Sequence, residues 1–199
     1  MNRVLYMSVV AVSLLAGGCA LTPLDKITYP GTVSVSSSMS AKVVVIPGGG
    51  LQRAPLAIWI GTVDIPDPET NRRFARRFDE LLRKELTRLG LFGTIVSASD
   101  NRPADMVITV FYADLFYLVG GPQFTVDVEM RLTGGSQPFW NRYQVVSKQH
   151  DTSEETWLLE TQVGNEANTH RLLLAKVIPD IEAYVAANNK NPRPPKTKN

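Results

Sequence analysis

Cysteine is almost absent from this 199-residue chain: Cys19 is the only one, so no disulfide can form within it. Histidine occurs only at His150 and His170, in different predicted elements. Since metal and general-base sites usually need converging ligands, we place both histidines at exposed or loop positions and predict no metal, cofactor or catalytic residue. After the N-terminus no apolar run is long enough to cross a membrane. The net charge is only +2, which argues against nucleic-acid binding.

The N-terminus, by contrast, has the layout of a secretory signal. Arg3 supplies a positive charge, Val4–Ala16 is nearly all apolar, and two small residues precede Cys19. Residues 14–19, Leu-Leu-Ala-Gly-Gly-Cys, resemble the lipobox of bacterial lipoproteins, with the usual leucine one place further from the cysteine. The resemblance implies that residues 1–18 are removed and that the Cys19 thiol is acylated, which anchors the chain in a membrane. An ordinary signal peptide with a chance cysteine remains the alternative.

The remaining chain divides by composition into three parts. Residues 19–41 are rich in serine and contain prolines, so we predict a flexible tether. Residues 42–188 are long enough for one domain with a core of its own, and the Pro- and Lys-rich residues 189–199 predict a disordered tail. Ala20 stands where aspartate commonly retains lipoproteins on the inner membrane. By resemblance, the protein is therefore expected on the outer membrane, facing the periplasm.

Apolar periodicity within the domain predicts an α+β fold. One helix opens at Asp67–Thr70, carries an apolar stripe from Phe74 to Leu89 and stops at Gly90. A weak helix at 157–162 precedes a final helix at 165–187, in which we expect a kink at Pro179. Strands are predicted at 42–46, 56–63, 94–98, 105–118, 124–133 and 139–148, the last three as an antiparallel meander. The order predicts a two-layer sandwich: an antiparallel-rich sheet with two amphipathic helices on one face.

Several of these features occur together in known lipoproteins. They are the lipobox cysteine, the helix end Leu86-x-x-Leu89-Gly90-x-Phe92, a long strand opened by Pro103-Ala104-Asp105, a Gly-Gly hairpin and a C-terminal amphipathic helix. The combination resembles small periplasmic lipoproteins of the ABC-transport auxiliary type and of the curli-secretion type, over residues 42–187. Their shared core is similar to an anticodon-binding or TolB-N-terminal-like sandwich. These families act by binding, so the resemblance implies a protein partner and no catalytic residue.

Two surfaces are candidates for contact with a partner. Four arginines on the first helix, Arg72, Arg73, Arg76 and Arg77, have no nearby acid after Glu69, which suggests either a solvated face or a patch for an anionic partner such as lipid headgroups. The apolar hairpin at Phe116, Tyr117 and Leu118, together with Trp140, is either core or a docking surface.

Three functional hypotheses follow. The first is a non-enzymatic, membrane-anchored accessory or assembly subunit of an envelope transport or secretion complex. The second is a periplasmic hydrolase or peptidoglycan-modifying enzyme, which would have to gather acids such as Asp105, Asp127 and Glu129. The alternation of Asp127 and Glu129 with Arg131 favours instead a solvated, salt-bridged strand face. The third is a structural oligomer in which sheet edges pair between copies. The oligomeric state itself is left open.

Overall fold

The computed structural model describes residues 26–48, 68–117, 123–148 and 157–189. The elements in chain order are β1 (Ser40–Pro47), α1 (Pro68–Leu89), β2 (Thr94–Val96), β3 (Met106–Tyr117), β4 (Gln123–Thr133), β5 (Phe139–Lys148) and α2 (Trp157–Asn188). The helices predicted at 157–162 and 165–187 form one continuous helix, α2. The predicted strand at 56–63, the signal peptide with Cys19, and the tail from residue 190 lie outside the described residues.

The strands form one open, mixed sheet in the order β2-β1-β3-β4-β5. β1 runs parallel to both β2 and β3, while β3, β4 and β5 form the predicted antiparallel meander. The parallel pairing of β1 with β2 is possible because α1 carries the chain back along the sheet between them. The prediction of an α+β sandwich is confirmed.

One face of the sheet is apolar because alternate side chains of each strand point to the same side. Val43 of β1, Ile108 of β3 and Leu132 of β4 share this face and are fully buried. Both helices cover it: α1 packs over β1 and β3, and α2 over β4 and β5. Phe78 of α1 contacts Tyr112 of β3 with ring centroids 5.7 Å apart. The core therefore lies between the sheet and a single layer of two helices, as predicted.

The end of α1 shows how a local sequence signal fixes an element. Gly90 has φ 67°, a left-handed conformation that glycine adopts without steric cost. Its N–H donates to the Thr87 carbonyl at 3.1 Å, and the Leu91 N–H donates to the Leu86 carbonyl at 3.3 Å. This pair of bonds is a Schellman motif, which satisfies carbonyls that the helix end leaves unpaired. The predicted stop at Gly90 is confirmed.

The N-terminal segment departs from the predicted flexible tether. Residues 27–37, which we call the strap, lie against the helix layer, with Ile27 fully buried and Val33 and Val35 packed on the core. The serine and proline content of residues 19–41 suggested disorder, but the apolar residues among them are enough to hold this part of the segment on the domain. The strap therefore belongs to the folded domain, although it precedes the predicted domain boundary at residue 42.

Candidate functional site

The strap and the surface around it form the candidate site, and the first contacts are with α1. The N–H of Tyr29 donates to the Glu85 carboxylate at 2.9 Å, and Arg88 pairs with the same carboxylate oxygen at 2.8 Å. Glu85 is fully buried beneath the strap. A buried carboxylate is costly unless charged and hydrogen-bonding groups surround it, so Arg88 and the Tyr29 amide together stabilise Glu85 in place.

The strap then crosses to α2. Glu182 accepts hydrogen bonds from the Ser34 N–H at 2.5 Å, the Ser34 hydroxyl at 2.9 Å and the Val35 N–H at 3.2 Å. Just beyond, the side-chain amide of Asn189 donates to the Ser36 carbonyl at 3.1 Å. The strap thus ties the C-terminal parts of both helices together.

The predicted arginine cluster is divided by the fold. Arg72, Arg73 and Arg76 are exposed on the outer side of α1, and the Arg73 guanidinium lies 5.1 Å from the centre of the Phe74 ring. Arg77 instead turns toward α2, where its Nε lies 2.6 Å from Glu166 Oε1. The prediction that Arg77 belongs to an exposed anionic-partner patch is therefore wrong. Its acid partner comes from α2, so sequence spacing along α1 gave no sign of it.

A buried polar network continues from this ion pair. His170 is 0% exposed in α2, and its Nε2 lies 3.0 Å from the hydroxyl of Tyr112 in β3. The prediction of an exposed or loop position for His170 is wrong, because the side chain is buried against Phe78 of α1 and Tyr112 of β3. His150 lies outside the described residues. The Nδ1 of His170 is 3.6 Å from Glu166 Oε1, too long for a hydrogen bond.

Burial sets the protonation of this network. It lowers the pKa of His170 to about 3, with a further contribution from the positive charge of Arg77. Burial also raises the pKa of Glu166, against the hydrogen bond and charge of Arg77. His170 is therefore neutral at physiological pH. Because His170 and Glu166 are covered from solvent, the network locks α1, α2 and β3 together and offers no open position for a substrate.

The opposite face of the sheet, which we call the far face, carries the acids of β4. Glu129 pairs with Arg131 at 2.5 Å, and Asp127 pairs with Arg142 of β5 at 3.2 Å. The prediction of a salt-bridged face is confirmed, but that of solvated acids is wrong, because neighbouring side chains leave both carboxylates less than 10% exposed. Long arginine side chains cover the shorter acids on a flat sheet.

Trp140 is the exposed aromatic residue of the far face. The residue is 60% exposed, and its side chain neighbours the Glu129 carboxylate. Burial alone would raise the pKa of Glu129, but the neighbouring Trp140 and Arg131 side chains, with the charge of Arg142, lower the pKa below its ordinary value. An exposed indole beside an ion pair suits a protein contact. Leu118, and the side chains of Phe116 and Tyr117 in β3, lie outside the described part of the structure.

The acids required by the hydrolase hypothesis do not converge. Asp105 precedes β3 and binds the Ser40 N–H at 2.7 Å, which, together with the Ser40 hydroxyl, lowers the pKa of Asp105. Glu129 and Asp127 of β4 lie opposite Phe111 and Ala113 of β3, respectively. At about 3.4 Å per residue, these positions are roughly 20 and 27 Å from Asp105. Within the described ranges, no group of three or more histidine, cysteine or acidic residues is arranged to hold a metal ion.

Sequence reasoning missed the strap and the buried network. The strap had a weak signal, since Ile27, Tyr29, Val33 and Val35 recur as apolar residues within the serine-rich segment. The network had none, since Arg77, Tyr112, Glu166 and His170 come from three distant elements. Along the described helices, no segment is both long enough and apolar enough to cross a membrane.

The chain resembles solved structures, with little identity in sequence. No protein-family model and no curated protein sequence matches it. The crystal structure of protein XCC0632 from Xanthomonas campestris, described with the family model DUF330, has a TM-score of 0.56 at 9% identity, covering 81% of this chain and 93% of that one. The hypothetical protein CT253 from Chlamydia trachomatis has a TM-score of 0.47 at 12% identity, covering 76% and 100%. The first similarity shows a shared fold.

Proposed function

We propose that this chain is a non-enzymatic lipoprotein of the bacterial envelope, acylated at Cys19, that serves as an accessory or assembly subunit of a transport or secretion complex. The acyl chains hold it on the outer membrane, where the folded domain faces the periplasm. The domain itself supplies a rigid binding surface for a protein partner. Confinement at the membrane raises the effective concentration of the domain near that partner.

The strap is the observation that best supports this proposal. It places ordered, domain-bound structure from Ile27 onward, only eight residues after the cysteine of the lipobox-like segment. Even fully extended, eight residues span no more than about 28 Å. An acylated Cys19 would therefore hold the domain close to the bilayer. The described contacts to Glu85 and Glu182 are what an anchored module needs if it is to keep a fixed attachment point.

The far face supports the second half of the proposal, a protein partner. Trp140 and Val146 are 60% and 41% exposed on β5, and β5 lies at one end of the described sheet. Ion pairs beside Trp140 hold its surroundings in place, which reduces the entropy lost on binding. Replacing Trp140 by alanine is expected to leave the fold intact and to weaken capture of the partner from solubilised envelopes.

Membrane fractionation tests the anchor. The Cys19→Ala variant is expected to fold and to leave the membrane fraction after a carbonate wash, because it has no thiol to acylate. Ala20→Asp is a matched control beside the same site: it keeps the thiol and is expected to remain in membranes but to move toward the inner membrane. A Cys19→Ala protein that stays in washed membranes would contradict the anchoring.

A structural oligomer is the second candidate, and the position of β5 favours it. A ten-residue strand at the end of the described sheet has backbone groups that a second copy is able to pair with. Size-exclusion chromatography with light scattering on the Cys19→Ala protein separates the candidates. A defined oligomer that Trp140→Ala disrupts would favour self-assembly, and a monomer would favour the binding module.

A further inference from the structure

The outer surface of the helix layer carries exposed cations from both helices. Arg73 and Arg76 are exposed on α1, and Arg171 and Lys176 are exposed on α2. Both helices pack on the same side of the sheet, so their exposed sides belong to the same layer of the sandwich. We call these four residues the basic surface.

Among the described side chains of the two helices, exposed cations outnumber exposed acids. Three of the acids pair with arginines: Glu85 with Arg88, Glu166 with Arg77, and Asp79 with Arg83. Glu182 and Asp180 keep their charge, because the hydrogen bonds they accept from the strap and from Tyr143 and Asn141 of β5 come from neutral groups. Among the acidic side chains of α1 and α2 that are described, only Glu80 is exposed. The outward electrostatic field of this layer is therefore positive.

The residues between the cations on α2 are small or apolar. Leu172 is 39% exposed, and Ala175, Pro179 and Ala183 are exposed beside it. A helix surface that combines cations with exposed apolar residues suits the interface of a membrane, where headgroups meet acyl chains.

The strap links the basic surface to the proposed anchor. It lies against Glu85 of α1, and Glu85 is 12 residues from Arg73 along the helix, or about 18 Å at 1.5 Å per residue. Lys26, the first described residue, is exposed at the same end. The strap, to which the proposed anchor is joined, and the basic surface therefore belong to the same layer of the molecule, so an anchor at Cys19 would bring headgroups within reach of the arginines.

We infer that the helix layer docks on anionic phospholipid headgroups through Arg73, Arg76, Arg171 and Lys176, so that the far face of the sheet with Trp140 points away from the membrane. This inference rests on the proposed anchoring through Cys19. Anionic headgroups complement the charge of the basic surface, and attraction acts only at close range because salt screens it beyond about 8 Å. The acyl anchor supplies that proximity.

The test uses the full acylated chain in vesicles of phosphatidylcholine with 30% phosphatidylglycerol, compared with phosphatidylcholine alone. Acylation consumes the single native thiol, so an introduced cysteine takes a fluorophore at one position. Ala175→Cys reports from the helix layer and Gln144→Cys from β5 on the far face; both positions are exposed. A quencher attached to lipid headgroups is expected to quench the Ala175→Cys label several-fold more strongly than the Gln144→Cys label, in the anionic vesicles only.

Charge reversal then tests the named residues. Arg76→Glu is expected to lower the docked population by more than fivefold, since each cation near an anionic surface accounts for about fivefold. Arg102→Glu changes the net charge equally in an exposed loop away from the helices and is expected to have no effect. Salt at 0.5 M is expected to act like Arg76→Glu.

Two results separate this inference from the proposed function. If the acylated chain floats with the vesicles but both labels are quenched equally, the orientation is wrong, and the arginines become candidates for an acidic protein partner. If the wild-type chain does not float with the vesicles, the anchoring has failed, and the inference falls with it.

Discussion

At the scale of single residues, neighbouring side chains of the same type have opposite roles. Arg76 and Arg77 are adjacent in α1, yet Arg76 is exposed and Arg77 forms an ion pair with the buried Glu166. The helical turn of about 100° per residue is enough to send one side chain to solvent and the other to the helix interface. Composition therefore describes the charge of α1 but not the role of each arginine.

Arginine truncation separates these roles. Arg77→Ala is expected to lower the free energy of unfolding by about 3 kcal/mol, because it leaves the Glu166 carboxylate buried without its cation. Arg76→Ala is expected to change it by less than about 0.5 kcal/mol. Urea unfolding of the two variants beside the wild type measures both. Equal losses would mean that the ion pair does not hold the helices together.

The pH dependence of stability reports on His170. The folded protein keeps the pKa of His170 near 3, whereas the unfolded chain titrates near 6.5, so acidification through this window favours unfolding. The groups facing His170 are Arg77, Glu166 and Tyr112. Glu166 acts oppositely: its raised pKa contributes stability that is present at low pH and lost as pH rises.

His170→Gln isolates the histidine contribution. Between pH 6 and 4 the wild type is expected to lose up to about 1.4 kcal/mol per pH unit more than the variant, the value for one proton. Chemical unfolding at several pH values, with both proteins in the same buffers, provides the comparison. Parallel pH profiles would show that His170 is not kept neutral in the folded state.

At the scale of elements, the strap belongs to the folded domain, although its serine and proline content predicts disorder. Three hydrogen bonds to Glu182 hold its centre, and Ile27 fills a place in the core. Glu182→Ala is expected to lower the free energy of unfolding by about 1 kcal/mol and to accelerate hydrogen exchange at the Ser34 and Val35 amides. Exchange measured by mass spectrometry locates the effect. Glu80→Ala removes an exposed acid from α1 as the control, and unchanged exchange in Glu182→Ala would contradict the role of the strap.

Local sequence patterns predicted the positions of the described helices and strands better than they predicted which elements contact each other. The stripe that ends at Gly90 located α1, and the strict alternation of residues 124–132 located β4, because both signals lie within a single element. The parallel pairing of β1 with β2 and β3 depends on contacts between segments far apart in sequence. The same is true of the bonds from Glu166 to Arg77 and from His170 to Tyr112. The periodicity of one segment does not encode such contacts. For this reason the predicted arginine patch included Arg77, and His170 was predicted at an exposed or loop position.

At the scale of the whole molecule, the two faces of the sandwich have different surfaces. The helix layer carries the strap and the basic surface, and the far face carries the ion-paired acids and Trp140. In the proposed arrangement one side meets the bilayer that holds the acyl chains and the other meets a periplasmic partner. In that arrangement, the contacts of the strap would give every copy of the domain the same attachment point.

Acylation of Cys19 is the claim on which the proposed function rests. Mass spectrometry of the N-terminal peptide, taken from protein purified out of bacterial membranes, tests it directly. We expect a mature chain that begins at Cys19 and carries the added mass of several acyl chains. A free thiol at Cys19, or a chain that begins at another residue, would contradict the membrane anchor and the orientation inferred from it.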